Sequence, residues 1–453
     1  MVDVQELASF AHQARYARIS EPAAAQLKIR ILDTLGVMIG GLGARTRTEA
    51  PPTTASGRDM AAEVAARAAS AATPFYAAAA SDSLDFADVF VAAGGTCHPS
   101  DAIGPLLHAA DACDVRGEDF VTAVAVSYQV QTRLSEMPQG AMAGVDPKRA
   151  GACARTTAEA LLRARTTCGG NPAIESPAVA GAAAAARDEA YAAIGQEHPG
   201  AGTQDHVKRD APNRAPETAS RPRVASAGAP AIDWSKEDLE SVLRTMTRIH
   251  YADIWAQPAI DASLTLATPP VFRAADVRAV RVKTFQAAYV ALGGGDGMDR
   301  STVASPAQAA GSLPYIVAVA LLDRAVQQDQ YRPERIARPD VRGLLHKVSI
   351  APYAAFTARF PEGTPAQVDV ELTGGMRFCT TAPSFRGSTL RPFDWGSACE
   401  KFYSLATPFV DDVTAERIAR CVHDLESHRV RELTALLAKV SRKPWREATV
   451  RMT

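Results

Sequence analysis

The chain has 453 residues, more than one hydrophobic core usually serves, so two domains are expected. Its 49 Lys and Arg against 50 Asp and Glu leave a formal net charge of -1, which gives no broad electrostatic footprint for nucleic acid or an anionic membrane. The seven cysteines are scattered and form no Cys-x-x-Cys pair, so neither a disulfide framework nor a zinc or iron–sulfur site is signalled.

The first residues carry no basic start followed by an apolar core, and no stretch reaches the ~18 consecutive apolar residues of a membrane span. The expectation is a soluble, cytoplasmic protein. A first long helix opens at Ser20 as N-cap, with Leu27, Ile31, Leu35 and Met38 on one face, and ends at the glycine pair 40–41. A second, from about Glu118, carries Val121, Val124 and Tyr128 on a nearly all-apolar surface and reads as a core helix. Residues 150–232 are poor in large apolar side chains, and residues 196–230 lack periodicity, so this stretch reads as loop or disordered chain.

Between about 248 and 395 the period changes to two. Val280 and Val282 alternate with Arg281 and Lys283, and Val348 and Ile350 with Lys347 and Ser349. Residues 367–380 read as a hairpin closed by a two-residue turn at Gly374-Gly375. Near the C-terminus Thr414 caps a helix with Ile418, Val422 and Leu425 on one stripe, and residues 430–440 continue as helix. The expected architecture is mainly α with an α+β part. The period-two stretch argues for a smaller α/β domain, from about 248 to 395, inserted between helical parts.

The residues that can carry chemistry concentrate in LDFADVFVAAGGTCHPS, residues 84–100. Asp85 and Asp88 share a face if their segment is a helical turn, and a bend at Gly94-Gly95 folds His98 back towards them. Two carboxylates and an imidazole suit removal of a proton beside a carboxylate and protonation of a leaving hydroxyl. The alternative is that both acids cap or solvate a helix end. Arg133, a cation on a largely apolar helix, needs an anionic partner: an internal acid such as Asp33, or a substrate carboxylate. The run GGGDGMDR, residues 293–300, lacks both phosphate-loop patterns, but Arg300 at its end suits bidentate binding of a carboxylate. Ser312 and Tyr315 open the apolar run to Asp323, where their hydroxyls either orient a substrate or serve packing.

Several collinear blocks resemble the MmgE/PrpD (methylcitrate dehydratase) family. They are LDFADVFVAAGGTCHPSDAIGPLLHAAD followed by GEDFVTAVAVSYQVQTRL; LKIRILDTLGVMIGGLGA; TFQAAYVALGGGDGMDR with AGSLPYIVAVALLD; and YRPERIARPDVRGLLHKVSIAP with ARFPEGTPAQVDVELTGG. The resemblance implies a large all-helical domain formed by both chain ends (1–247 and 396–453), a smaller inserted α/β lid domain (248–395), a homodimer, no cofactor and no bound metal. It also implies a small di- or tricarboxylate substrate that is dehydrated, decarboxylated or epimerised, each reaction starting at a carbon beside a carboxylate. By resemblance, Asp85, His98 and Tyr315 are catalytic, with Asp88, Arg133, Arg248, Arg300 and Ser312 as substrate-binding candidates. Arg248 stands where the family has a lysine.

The chain departs from the family pattern at Trp255 and Gly311, both histidine positions, at Asp82 and Ala87, and in the lack of a WKG-like lysine within 150–232. A shifted substrate, a catalytically impaired binding protein, or a disturbed reading frame over 150–232 would each account for these departures.

Overall fold

The computed structural model describes residues 4–45, 86–92, 95–137, 147–167 and 232–440. The protein is mainly helical with one small mixed sheet. Among the longer elements are α1 (Val4–Gln13), α2 (Glu21–Arg45), β1 (Phe90–Ala92), β2 (Gly95–Cys97), α3 (Ile103–Ala112), α4 (Gly117–Ser135) and α5 (Pro147–Thr167). After these come α6 (Gln257–Ala267), β3 (Val277–Thr284), α7 (Leu313–Asp323), β4 (Val348–Pro352), β5 (Ala366–Leu372), β6 (Arg377–Ala382), α8 (Trp395–Ala406), α9 (Asp412–His423) and α10 (Val430–Leu437).

Two large apolar cores account for most of the buried side chains. The first joins α1–α5 to α8–α10, so residues from both ends of the chain share it. Its axis is α2, capped by the Ser20 hydroxyl, which accepts from the Ala23 amide at 3.3 Å, and carrying Leu27, Ile31, Leu35 and Met38 fully buried. The helix does not stop at the glycine pair as its sequence suggests, but continues to Arg45. Gly36 and Gly40 are there for contact: a Cβ on Gly36 would lie 3.2 Å from Phe402 Cα, and one on Gly40 3.3 Å from Leu405 Cδ2. The missing side chains let α8 approach α2 closely.

Residues 150–167 correct the expectation of irregular chain: they are helical, within α5. Ala150, Ala154 and Ala158 are buried at a spacing of four, and a Cβ on Gly151 would meet the Gln131 amide of α4 at 3.3 Å. Small residues at helical spacing are a close-packed seam, which a search for large apolar residues misses. Residues 168–231 lie outside the described part.

The second core lies between the sheet and α6 and α7. The strand order is β4-β3-β5-β6, with β3 and β4 parallel and the remaining pairs antiparallel. Val280 faces Val348 and Val370, and all three are buried. The β5–β6 turn holds three residues rather than the expected two. Leu372 is bonded to Met376 at 2.9 Å across Thr373, Gly374 and Gly375, and Gly375 takes φ +82°, which an L side chain resists. Asp411, not Thr414, caps α9: its carboxylate accepts from the Thr414 amide and hydroxyl at 2.9 and 2.8 Å. A carboxylate makes the stronger cap, and Thr414 sits buried one turn inside. No helix among the described residues is long and apolar enough to cross a membrane.

Candidate acid/base site

Asp88 and His98 are brought together by strand pairing rather than by a helical turn. β1 and β2 pair antiparallel with Phe90 facing Cys97, which brings Asp88, two residues before β1, beside His98, the residue after β2. The imidazole Nδ1 lies 2.8 Å from the Asp88 carbonyl oxygen. A carbonyl only accepts, so Nδ1 carries the proton and Nε2 of the neutral ring is left basic. Pro99 opens a turn that delivers the Ser100 amide to Asp88 Oδ1 at 3.1 Å. Asp85 lies outside the described residues.

The Asp88 carboxylate is fully buried. Its Oδ2 faces Arg30 Nε at 3.7 Å, and Arg30 is itself anchored on Thr245 through Nε at 3.1 Å and Nη2 at 3.0 Å. Tyr128 of α4 completes this wall; burial first, then the Asp88 charge, hold its phenol well above the ordinary range. Asp101 follows three residues after His98. The residue is exposed at the surface, yet the protein around it raises the pKa of its carboxyl to about 6. Burial is the largest cause. The charges of His98 and Arg248 pull it down and that of Asp88 pushes it up. Asp101, His98, Asp88 and Arg248 thus share one electrostatic neighbourhood.

Arg248 belongs to a segment held on both sides. Val89 and Met246 exchange backbone hydrogen bonds of 2.7 and 2.8 Å, and the Thr247 amide donates to the Gly387 carbonyl at 2.7 Å. Buried Gln257 accepts from the Ile249 and His250 amides and donates to the His250 and Ala252 carbonyls. Beside it His250 Nε2 meets Asp261 at 3.0 Å, a pair that the sequence reading did not identify.

Behind the strip lies a second unexpected pair. Lys401 of α8 is buried with its ammonium 2.7 Å from Asp33 Oδ1 of α2, and it donates to the carbonyls of Phe86 at 2.9 Å and Arg248 at 2.7 Å. Burial pushes Asp33 up and Lys401 down, each opposed by the partner's charge.

The remaining candidates are placed elsewhere. Arg133 is ion-paired to Glu237 at 2.9 Å and Glu136 at 2.6 Å, and Asp33 belongs to Lys401 instead. Arg300 is held by Asp296 and by the Gly311 carbonyl at 2.9 Å. The hydroxyl of Ser312 caps α7, accepting from the Tyr315 amide at 3.1 Å, while it donates to the Arg300 carbonyl. The Tyr315 hydroxyl donates to the Gln330 carbonyl deep in the second core, and burial raises its pKa to about 12. Tyr315 reaches the strip only through a file of rings, Tyr331, Tyr251 and Phe86, the last lying 4.0 Å below the Lys401 ammonium. Arg133, Arg300, Ser312 and Tyr315 therefore have structural employment, whereas His98, Asp88 and Arg248 cluster.

The departures also have physical readings. Trp255 packs edge-on against Phe285 and Phe360, centroids 5.6 and 5.4 Å away. At Gly311 a Cβ would stand 3.0 Å from Arg300 Nη1, so the arginine occupies the room a side chain would need.

Comparison with known proteins finds one family over most of the chain. Residues 5–205 match the MmgE/PrpD N-terminal domain, and residues 250–427 match the MmgE/PrpD C-terminal domain. The chain belongs to the MmgE/PrpD family.

Proposed function

We propose that the protein is a cofactor-independent, 2-methylcitrate dehydratase-like lyase that eliminates water from a small di- or tricarboxylate. The observation that carries this reading is the grouping of an imidazole with its Nε2 free to act as base, a carboxyl raised to about 6, and a buried guanidinium. His98 Nε2 takes the proton from the carbon beside a substrate carboxylate. The C–H electron pair becomes the new double bond, the C–O bond breaks, and the departing hydroxyl leaves as water with the proton of Asp101. A group of pKa about 6 is roughly one-tenth protonated at pH 7, enough to act as the acid while still able to regain its proton. Arg248, with Arg30 behind Asp88, favours the negative charge that builds on the carboxylate. Asp88 sets the imidazole through its carbonyl and the Ser100 amide through its carboxylate.

The test is incubation with 2-methylcitrate, cis-aconitate and iminodisuccinate, followed by product NMR. The expected result is an olefin from a hydroxy acid, lost in a folded His98→Ala variant. Carbon dioxide release or epimerisation would assign a sister reaction on the same scaffold. Binding without consumption of any of the three would make the protein a non-catalytic relative, a reading favoured by Trp255 and the Arg300-filled space at Gly311.

A further inference from the structure

We propose that Lys401 is a positioning residue that sets the spacing between the His98–Asp88 strip and Arg248; the inference rests on the acid/base reading of that strip. The ammonium donates to the Phe86 carbonyl at 2.9 Å and the Arg248 carbonyl at 2.7 Å, and it is ion-paired with Asp33 Oδ1 at 2.7 Å. Phe86 lies two residues before Asp88, and Arg248 is the cation that acts on Asp101. One side chain thus ties the two segments of the site to each other and, through Asp33, to α2.

The anchor is rigid at its other end. Phe402, the next residue, seats against Gly36 of α2, so Lys401 is delivered at a fixed height. The Val89–Met246 bridge is the matching tie on the other side of the same two segments. Between these two ties neither segment can slide against the other.

Stability alone does not account for such a group. A buried ion pair loses most of its Coulomb energy to desolvation, and well-packed apolar replacements are often as stable. Here the charged groups around the ammonium are Asp33, Arg248 and Arg30, and the two arginines oppose it. What an apolar side chain cannot replace is the direction of the two bonds to carbonyls. Misplacement of about 1 Å between reacting groups costs on the order of a hundredfold in rate.

The experiment compares wild type, Lys401→Met and the double variant Lys401→Met with Asp33→Asn. The single change strands the Asp33 charge and can prevent folding; the double change removes both charges at nearly constant volume. The double variant is expected to fold, with its thermal midpoint within a few degrees of wild type and kcat down at least a hundredfold. KM should change much less, since Arg248 keeps its charge. Hydrogen exchange should accelerate more than tenfold at residues 86–92 and 246–250 while α4 keeps its protection. Turnover within threefold of wild type, or unchanged exchange at both segments, overturns the proposal, because the pair would then serve only charge balance. If wild type consumes none of the acids, the lyase reading fails while the exchange comparison still tests the tether.

Discussion

Gly387→Ala should disable the site from a distance. Gly387 has φ +106°, and a Cβ there would stand 2.1 Å from the Thr247 carbonyl oxygen, well inside any van der Waals contact. The left-handed backbone alone costs an L residue about 1–2 kcal/mol. Relief of the clash requires the two backbones to part by more than 1 Å, which stretches the 2.7 Å bond from the Thr247 amide to the Gly387 carbonyl, worth about 1 kcal/mol. A loss of about 2–4 kcal/mol follows, or roughly 5–15 °C in thermal midpoint for a domain of this size. Arg248 is the next residue, so the same displacement moves the cation off Asp101 and should lower kcat/KM about a hundredfold. Calorimetry and initial rates read both effects. Gly343→Ala is the control, since a Cβ there meets nothing within 4 Å. If Gly387→Ala keeps kcat/KM within threefold of wild type, the idea that this contact holds Arg248 in place is refuted.

Two further outcomes separate structural from chemical roles. Tyr315→Phe removes only the hydroxyl bonded to the Gln330 carbonyl, so denaturant unfolding should show a loss of about 1–2 kcal/mol while kcat stays within a few-fold; a hundredfold loss of kcat without loss of stability would return Tyr315 to the catalytic group. Asp101, with its folded-state pKa of about 6 against an ordinary 3.8, holds a proton that the unfolded chain releases between pH 4 and 6. Stability therefore falls as pH rises through that window, and the advantage of Asp101→Asn over wild type should grow across it and level off above; a difference independent of pH from 4 to 7 would contradict the raised carboxyl.

Elements with a strong period were legible in the sequence because their local preference and their burial agree. α2, α4 and the strands all place their apolar faces inward, as at Leu27, Val124 and Val280. The errors arose where the deciding partner is remote or small. α2 passes its glycines because α8 packs on them, and α5 looks weak because its buried residues are alanines. His98 stood out beside Gly and Pro, but the choice of Asp88 as its neighbour depended on a hairpin register that period-two counting cannot show over three-residue strands. Asp101 was in view within the CHPSD block, yet nothing local announces its raised pKa. Arg30 and Asp33 carried the same signal as Arg133, charge on an apolar helix, and that signal was followed only for Arg133. Lys401 had none, since it lies in an ordinary amphipathic helix and meets Asp33 only through the close packing of α8 on α2.

The charge pattern explains why an arginine suits position 248. Arg30, Arg248 and Lys401 stand against Asp33, Asp88 and Asp101, three cations and three anions crowded behind one imidazole. A lysine at 248 would share the strain of this crowding, because burial and neighbouring cations favour loss of its proton. A guanidinium cannot lose its proton under such conditions, whereas burial drives Lys401 down and Asp101 up, the Arg248 charge adding to the first shift and opposing the second. On the proposed lyase reading, Arg248 is a permanent cation for a substrate carboxylate, while Asp101, with its pKa raised to about 6, is the group that exchanges a proton with the leaving hydroxyl. An arginine at 248, where the resemblance implies a lysine, thus fits the proposed division of labour at the strip, with fixed charge on one side and exchangeable protons on the other.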